Sequence, residues 1–542
     1  MWFMKLKIDK LVFLILLVTF LKGLVWAAVV PIWHTPDEQA HFAEIEFIAE
    51  KKRLPIQILN QKHVEKDLSK EILVSERLLG TERDEKGINK FTYHPEYNIP
   101  YASEFIGIHE TEISNIPLSW RQEMVKNEAT NYPPLYYLYG TIAYLFAYNS
   151  DLFTRIFMVR MFSVILLVLT VYFSLKISRE IFENNFLMQM AVPILVSFQP
   201  MFTFVGAGVN SDNLINLLFT IFIYQGLRVV KYGFSFRLSI LIGVIIGLGI
   251  LTKPQFFIPI PIVLGIFLYE LRKKQWKFFI KNLSLFSIFF ILFGGWWAIR
   301  SFILTGNPTT IKMNSFVNSY STLTLIDYSK MAFIKTIRET LPWYWGVFKW
   351  LGVTLPHLAN QILLRIMALG FLGLIFWFIK IIKSKRIGVI EKSLIYLFLV
   401  NLIYIGSLYF FDFLFIKSHG FSIGMQGRYF LPAISSQMIL LLWGLINLFP
   451  SNWLNLRKIV IFCLCLGIII LNFIALAIVF YAYYPAQNLS QALDWISQYK
   501  PWFLKGKWFV LLLTCYFIGL IIFLKNLLYM TSNSNSLKVF NN

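Results

Sequence analysis

The sequence is poor in charge and in cysteine for a chain of 542 residues. Only 15% of the residues are charged and only three are cysteines, whereas soluble domains contain about 25% charged residues. The three cysteines fall inside apolar runs, where they act as small apolar side chains, so we expect no disulfide. With so little charge, a water-soluble fold is excluded.

Hydrophobic residues take the place of the missing charged ones. They make up 57% of the chain, aromatic residues make up 18%, and the mean hydropathy is +0.62. Runs of about 17–25 apolar residues recur along the chain, and each is long enough to cross a hydrocarbon core of about 30 Å as a helix. The sequence therefore predicts an all-α polytopic membrane protein.

We expect twelve transmembrane helices in a single domain that covers residues 1–530. They are predicted near residues 11–30, 156–178, 187–206, 212–230, 236–252, 254–271, 278–298, 361–381, 392–412, 429–449, 458–483 and 508–526. The first apolar run is too long for the centre of a cleaved signal peptide, so we expect it to be retained as a span.

Basic residues indicate how the chain is oriented in the membrane. The formal net charge is +21, and Lys and Arg concentrate in alternate connections between the predicted spans, as they do in cytoplasmic loops. This distribution explains the positive charge without a nucleic-acid partner. It predicts a multi-pass protein of the bacterial cytoplasmic membrane with both termini in the cytoplasm.

Residues 133–148 are apolar enough to be a further span, but counting them as one would reverse every later loop. We therefore expect an interfacial helix there, on the outer surface. Three external loops follow from this topology, at 31–155, 299–360 and 484–507. The first contains juxtamembrane helices in our prediction, and its residues 31–133 hold 18 acidic and 12 basic residues. The Ser/Asn-rich segment 531–542 is predicted to be a disordered cytoplasmic tail.

The stretch "PIWHTPDEQAHF" places two adjacent carboxylates directly after the first span. A capping box explains part of it, because Thr35 would cap a helix, Pro36 would occupy its first turn and Glu38 would complete the box. The box does not require Asp37, and ionisable groups near the hydrocarbon commonly mark functional sites. We predict that Asp37 and its neighbour Glu38 are catalytic residues.

Further charged residues occur at the outer ends of later spans. Asp212 lies in "NSDNLI", Lys253 in "LTKPQF", Arg428 in "GMQGRYFLP" and Arg300 in "WWAIRSF". Helix capping is the alternative explanation for Asp212. Snorkelling of the side chain to lipid phosphates is the alternative for Lys253 and Arg428.

Carboxylates and cations at one depth suit a reaction in which a membrane-bound phosphate is the leaving group. A carboxylate can take the proton from an attacking hydroxyl while fixed cations stabilise the departing phosphate. No cluster of metal ligands is evident, so we predict no metal site, with a divalent cation left open as a cofactor. The predicted substrate- and phosphate-binding residues are Asp212, Lys253, Arg428, Arg300 and His41.

The order of these motifs resembles a known bacterial membrane family, domain of unknown function 2142. "TPDEQAHF" follows the first span, and "NYPPLYYL", "NSDNLI", "LTKPQF" and "QGRYFLP" come after it. The resemblance covers the chain from about Leu11 to Phe449. That family is similar to the GT-C glycosyltransferases, such as the protein O-mannosyltransferases and the aminoarabinose transferases.

The resemblance implies a GT-C-like helical fold, a polyprenyl-phosphate sugar as donor and inversion at the anomeric carbon. It implies that Asp37 is the catalytic acidic residue of the first loop, that Asp212 is the second acidic position and that Lys253 contacts phosphate. Arg428 has no firm functional counterpart in that family.

We therefore predict an inverting glycosyltransferase that moves a sugar to an acceptor at the outer face of the membrane, in the assembly of cell-envelope glycans or glycoconjugates. The acceptor could be a glycan, a lipid or a protein. Two alternatives stay open from the sequence. One is a transporter or flippase of lipid-linked sugars, and the other is a polymerase or ligase of surface polysaccharide.

Overall fold

The structure is a computed structural model that describes residues 2–58, 63–83, 92–94, 96, 106–128, 132–271, 276–306 and 322–533. Helices dominate this part of the chain, as the apolar composition requires. The helices are α1 (Trp2–Val29), α2 (Glu38–Lys51), α3 (Lys70–Leu78), α4 (Ile106–Ser114), α5 (Leu135–Phe146), α6 (Leu152–Ile181), α7 (Phe186–Phe198), α8 (Pro200–Gly206), α9 (Asp212–Tyr232), α10 (Phe236–Ile250), α11 (Pro259–Leu271), α12 (Trp276–Phe290), α13 (Trp296–Thr305), α14 (Leu325–Lys335), α15 (Leu341–Trp345), α16 (His357–Ser384), α17 (Val389–His419), α18 (Ile434–Asn447), α19 (Leu454–Tyr483), α20 (Leu489–Ile496) and α21 (Lys507–Asn533).

Short irregular elements complete the described chain. The strands form three antiparallel pairs, β1 (Gln57–Ile58) with β2 (His63–Val64), β3 (Leu68–Ser69) with β4 (Met124–Lys126), and β5 (Val347–Phe348) with β6 (Val353–Thr354). Short 3-10 helices occur at Leu118–Gln122, Pro254–Phe257, Gly427–Ala433 and Trp502–Leu504, and short π-helices occur at Ile291–Gly295 and Thr336–Thr340.

The twelve predicted spans all coincide with apolar helical segments. Among the described residues, nine stretches are long and apolar enough to cross a membrane, and α7 with α8 forms a tenth that is bent by 59°. The remaining two predicted spans, at 236–252 and 254–271, correspond to the shorter apolar helices Phe236–Ile250 and Pro254–Tyr269. At a rise of about 1.5 Å per residue these two fall short of a full hydrocarbon thickness. The all-α polytopic membrane fold is confirmed.

The bend between α7 and α8 is stabilised by a buried lysine. Pro200 cannot continue the hydrogen bonding of α7, so carbonyl groups at the end of that helix lose their partners. The Lys22 amine of α1 donates to the Ser197 carbonyl and to the Thr203 hydroxyl, the latter at 3.1 Å. The Asn472 amide of α19 donates to the Phe198 carbonyl at 3.0 Å. These bonds fix the chain that leads from α8 into α9.

Part of the predicted first external loop packs on the helical bundle. Helix α5 has 12 residues, too few to cross a bilayer, and it contacts α2 and α6. Tyr136, Tyr137 and Tyr144 are buried on one side of it, whereas Leu138 and Ile142 on the other side are exposed. The placement of residues 133–148 on the membrane surface stays a prediction.

Two boundaries differ slightly from those predicted. Helix α21 continues to Asn533, three residues into the predicted disordered tail, and residues 534–542 lie outside the described residues. Residues 307–321 of the predicted second external loop also lie outside them. The described remainder of that loop includes α14 and α15.

Candidate active site

Asp37 stands at the start of α2 with an unusual backbone. Its φ of 57° and ψ of 24° are left-handed, and its side chain makes no capping bond to the helix. The predicted capping box is wrong, because the Thr35 hydroxyl has no hydrogen-bond partner among the described residues and the Glu38 carboxylate accepts from the Trp33 amide instead, at 2.9 Å. A non-glycine residue with positive φ is uncommon and costs about 1–3 kcal/mol. This backbone turns the Asp37 side chain away from the helix end.

Two arginines hold the Asp37 carboxylate. Arg83 donates to Oδ1 at 3.0 Å and Arg428 donates to Oδ2 at 3.0 Å. Burial alone would raise the pKa of Asp37, but the charges of Arg428 and Arg83 outweigh it and hold that pKa well below its usual range. Asp37 is therefore an anion at neutral pH.

The second carboxylate of the site is Asp212, the first residue of α9. It is ion-paired with Lys253, and its Oδ2 lies 4.0 Å from the Arg428 guanidinium. Arg428 thus lies between two carboxylates contributed by distant parts of the chain. Asp37, Arg428, Asp212 and Lys253 form a chain of alternating charge, and we call them the charged cluster.

Gly427 allows Arg428 to reach this position. A Cβ atom at Gly427 would lie 2.1 Å from the backbone nitrogen of Tyr344 in α15, a distance that no side chain tolerates. Only glycine permits so close an approach of the two backbones. The approach seats the Gly427–Ala433 turn against α15, with Arg428 buried at its start.

A cavity of about 950 Å³ opens beside the charged cluster. Asp37, His41, Lys253 and Arg428 line its polar part, together with Tyr132 and Tyr429. Its apolar part lies between the segment 254–261 and helix α17, and is lined by Phe257, Ile258, Pro261, Leu408, Phe410, Phe411, Leu414 and Phe415. The cavity can therefore hold an amphiphilic molecule with an anionic end.

His41 faces this cavity one helical turn after Asp37. Its Nδ1 lies 2.8 Å from the Tyr137 hydroxyl. Burial lowers the pKa of His41 to about 4, although the nearby Asp37 carboxylate raises it. The imidazole is neutral at physiological pH and can take part in hydrogen bonds without adding charge.

Glu38 and Arg300 lie elsewhere. Glu38 is fully buried, and its carboxylate accepts two bonds from Arg160, at 2.8 Å and 2.6 Å, and one from the Val209 amide at 3.1 Å. It does not line the cavity, so we assign it to an internal ion pair rather than to catalysis. Arg300 donates to the Pro55 carbonyl at 3.0 Å and also lies outside the cavity lining. The structure therefore gives no basis for grouping Arg300 with Asp37.

Arg83 and Tyr132 are site residues that sequence reasoning missed. Arg83 lies in a polar part of the first external loop, where no pattern distinguishes it from the neighbouring lysines and arginines. The guanidinium is nevertheless only 10% exposed and packs over the Trp350 ring, 5.5 Å from its centroid. Tyr132 belongs to the "NYPPLYYL" motif, but the motif itself indicates no role for this tyrosine.

No group of three or more His, Cys, Asp and Glu side chains within the described ranges could hold a metal ion. The carboxylates of the charged cluster are instead neutralised by Arg83, Arg428 and Lys253. An anionic ligand bound at the cluster could share these cations.

Residues 20–436 match the family model described as "Predicted membrane protein (DUF2142)". The chain belongs to this family. The prediction made from the motifs is thereby confirmed for most of the sequence. No curated protein is significantly similar to the chain.

Several solved structures are similar to the chain at low identity. The oligosaccharyltransferase of Archaeoglobus fulgidus in complex with zinc and sulfate is 14% identical, with a TM-score of 0.45 over 88% of this chain and 55% of that one. The same archaeon's AglB, with an inhibitory peptide and a dolichol-phosphate, is 11% identical, with a TM-score of 0.44 over 89% and 58%. ArnT from Cupriavidus metallidurans bound to undecaprenyl phosphate is 10% identical, with a TM-score of 0.35 over 79% and 76%. This chain thus spans little more than half the length of the archaeal enzymes.

Proposed function

We propose that this protein is an inverting glycosyltransferase that takes a sugar from a polyprenyl-phosphate donor and transfers it to an acceptor hydroxyl at the outer face of the membrane. The observation that carries the proposal is the two-part cavity, in which Asp37, Lys253 and Arg428 face the polar part and aromatic and aliphatic side chains enclose the rest. A long isoprenoid chain with a phosphate at one end has the same division of polarity.

The cations of the charged cluster suit a phosphate. Arg428 is buried, and its Nε has no hydrogen-bond partner among the described residues. A buried donor without a partner is costly, and a phosphate oxygen would satisfy it. Lys253, at the other end of the charged cluster, also lines the cavity, and its side chain is 26% exposed. The two cations can neutralise the charge that develops on a departing phosphate.

Asp37 is the proposed general base. In the transfer step, the acceptor oxygen forms a bond to the anomeric carbon while the bond from that carbon to the phosphate oxygen breaks. The electron pair of the broken bond stays on the phosphate, and Asp37 takes the proton of the acceptor hydroxyl. Attack from the face opposite the phosphate inverts the anomeric configuration.

Binding of the donor would also make Asp37 a better base. Arg428 is bonded to Asp37 in the structure, and a phosphate bound at Arg428 would compete for the same guanidinium. Weaker pairing of Asp37 raises its pKa toward the ordinary range. The donor would in this way prepare the carboxylate that deprotonates the acceptor.

Lipid binding tests the proposal. The full chain in nanodiscs should bind undecaprenyl phosphate at least about tenfold more tightly than undecaprenol, which lacks the phosphate, since one charge-assisted hydrogen bond contributes about 1.5–3 kcal/mol. Arg428→Gln should reduce this preference by about tenfold, whereas the exposed control Arg77→Gln should retain it in full. Equal affinity of the wild-type protein for the two lipids would remove the basis of the proposal.

A flippase of lipid-linked sugars is the second candidate, and the break between α7 and α8 favours it, because broken helices are common in transporters. That break is fixed by Lys22 and Asn472, and the charged cluster is built from other helix starts and connections rather than from the residues of the break. Cysteines introduced at Tyr132 and Lys253, which line the cavity with partly exposed side chains, would separate the candidates. Labelling from one side of the membrane favours the transferase, and labelling from both sides in turn favours the flippase.

A further inference from the structure

Three aromatic rings stack next to Asp37. The centroids of Tyr132 and His41 are 5.5 Å apart with an interplanar angle of 29°, and those of His41 and Tyr137 are 5.8 Å apart at 20°. Tyr132 and Tyr137 are themselves 6.1 Å apart at 20°. We call these three rings the ring stack. They come from two separate elements, since His41 belongs to α2 and Tyr137 belongs to α5.

Two rings of the stack, those of His41 and Tyr137, are buried and fixed in orientation. Tyr137 is fully buried and His41 is 6% exposed, and the 2.8 Å contact between the imidazole and the Tyr137 hydroxyl fixes their relative orientation. Tyr136 packs edge-on against both of them, with centroids 6.5 Å from His41 and 5.6 Å from Tyr137. Ordinary core packing accounts for these buried rings.

Core packing does not account for Tyr132. Its residue surface is 40% exposed, and it lines the cavity beside Asp37 and Arg428. An aromatic ring at the wall of a cavity leaves apolar surface uncovered, and a ligand that covers this surface gains binding free energy. The exposed tyrosine therefore indicates a flat binding surface within reach of the catalytic carboxylate.

We propose that Tyr132 is the stacking platform for a pyranose ring positioned beside Asp37, so that the ring stack selects a sugar at the transfer step. This inference rests on the proposed function and deepens it. One face of a pyranose presents several C–H groups with slight positive charge, and the face of an aromatic ring carries negative charge density. A flat contact between them excludes water from both surfaces.

The sugar could belong to the donor or to a glycan acceptor, because both must approach Asp37 during transfer. A donor sugar would place its ring on Tyr132 while its phosphate contacts Arg428 and Lys253. An acceptor sugar would stack there while its hydroxyl points at Asp37. The stacking chemistry is the same, and the experiment distinguishes the two sources.

The donor arm compares two lipids in nanodiscs, undecaprenyl phosphate and undecaprenyl-phosphate-glucose. If the platform holds the donor sugar, Tyr132→Leu should lower the affinity for undecaprenyl-phosphate-glucose by about threefold to tenfold. Its affinity for undecaprenyl phosphate should not change. Tyr132→Phe should restore wild-type affinity, because it keeps the ring. Tyr481→Leu removes an exposed tyrosine outside the cavity and should change neither affinity.

The acceptor arm uses saturation-transfer NMR with methyl β-glucoside and methyl β-N-acetylglucosaminide in the presence of undecaprenyl phosphate. If the platform holds the acceptor, the ring protons of a glycoside should receive saturation from the wild-type protein and from Tyr132→Phe, and lose it in Tyr132→Leu.

The inference is overturned if Tyr132→Leu matches the wild-type protein in both arms. It is also overturned if the substitution lowers the affinity for both lipids equally, because that result would indicate a merely structural role. The proposed function fails differently, through failure of the wild-type protein to bind either lipid.

Discussion

Asp37 and Arg428 are 391 residues apart in the sequence and 3.0 Å apart in the structure. Their contact joins the end of the first span to the turn before α18. It also brings Asp212 and Lys253 into the same cluster, because Arg428 lies 4.0 Å from Asp212. The site therefore forms only when the first external loop, α9, the α10 to α11 connection and the Gly427–Ala433 turn are all assembled.

Lys253 should contribute an ionic component to the binding of lipid phosphate. Lys253→Met removes one cation from the polar part of the cavity, and we expect about tenfold weaker binding of undecaprenyl phosphate at low salt. Because a partly exposed cation is screened by salt, the difference between variant and wild type should shrink as salt rises. Titrations in nanodiscs at about 50 mM and 500 mM salt would measure it. A salt-independent difference would contradict the assignment, and Lys51→Met, outside the cavity, is the control.

Arg83 should affect transfer more than donor binding. It bonds to Asp37 Oδ1 and does not line the cavity, so it acts by orienting the carboxylate. We expect Arg83→Gln to lower kcat by about tenfold, since misplacement of a catalytic group by about 1 Å is costly, with the affinity for undecaprenyl phosphate unchanged. Turnover and binding measured on the same preparation would show this division. A fall in affinity with normal kcat would assign Arg83 to the donor site, and Arg77→Gln provides the matched control.

Glu38 should govern stability rather than chemistry. Glu38→Gln leaves Arg160 buried and without its anionic partner, which costs about 3–5 kcal/mol. We expect a marked loss of thermal stability in detergent and lower yield, while the folded fraction keeps its affinity for undecaprenyl phosphate. Fluorescence-detected melting followed by lipid binding would check both points. Glu123→Gln, which breaks an exposed pair with Lys70, should have little effect on melting.

His41 should make the folded protein less stable in acid. Its folded pKa of about 4 lies below the usual value near 6.5, so between these values the unfolded chain binds the additional proton. The corresponding stability is complete above about pH 6.5 and decreases as pH falls toward 4, by at most about 3 kcal/mol. His41→Gln should flatten the dependence of melting temperature on pH in this window. Identical pH profiles of variant and wild type would contradict a buried neutral imidazole.

The sequence predicts a common depth in the membrane for the site residues, but it does not predict their positions around the bundle. Asp212, Lys253 and Arg428 each stand at one end of an apolar run, and this is the basis for the level that we predict for them. Arg300 satisfies the same criterion, yet it bonds to the Pro55 carbonyl instead of joining the cluster. Depth follows from hydropathy, whereas neighbours within that level depend on helix packing, which a single sequence does not reveal.

Glu38 shows a second limit of prediction from the sequence. Adjacent residues at the start of a helix point about 100° apart, so Asp37 and Glu38 cannot serve one site with equal ease. The left-handed backbone of Asp37 increases this divergence. A positive φ at a residue other than glycine leaves no trace in composition or periodicity, and the capping-box pattern T-x-x-E suggested ordinary helix geometry instead. The internal partner of Glu38, Arg160, lies within a predicted span, where its pairing could not be assigned.

Transfer by Asp37→Asn tests the central claim most directly. The substitution keeps the size of the side chain and removes its basicity, so the variant should bind undecaprenyl phosphate while the rate of sugar transfer from undecaprenyl-phosphate-linked sugar to membrane acceptors falls by about 10²–10⁴-fold. The exposed Asp494→Asn should transfer at the wild-type rate. Transfer by Asp37→Asn at the wild-type rate would show that Asp37 is not the base and would contradict the proposed mechanism.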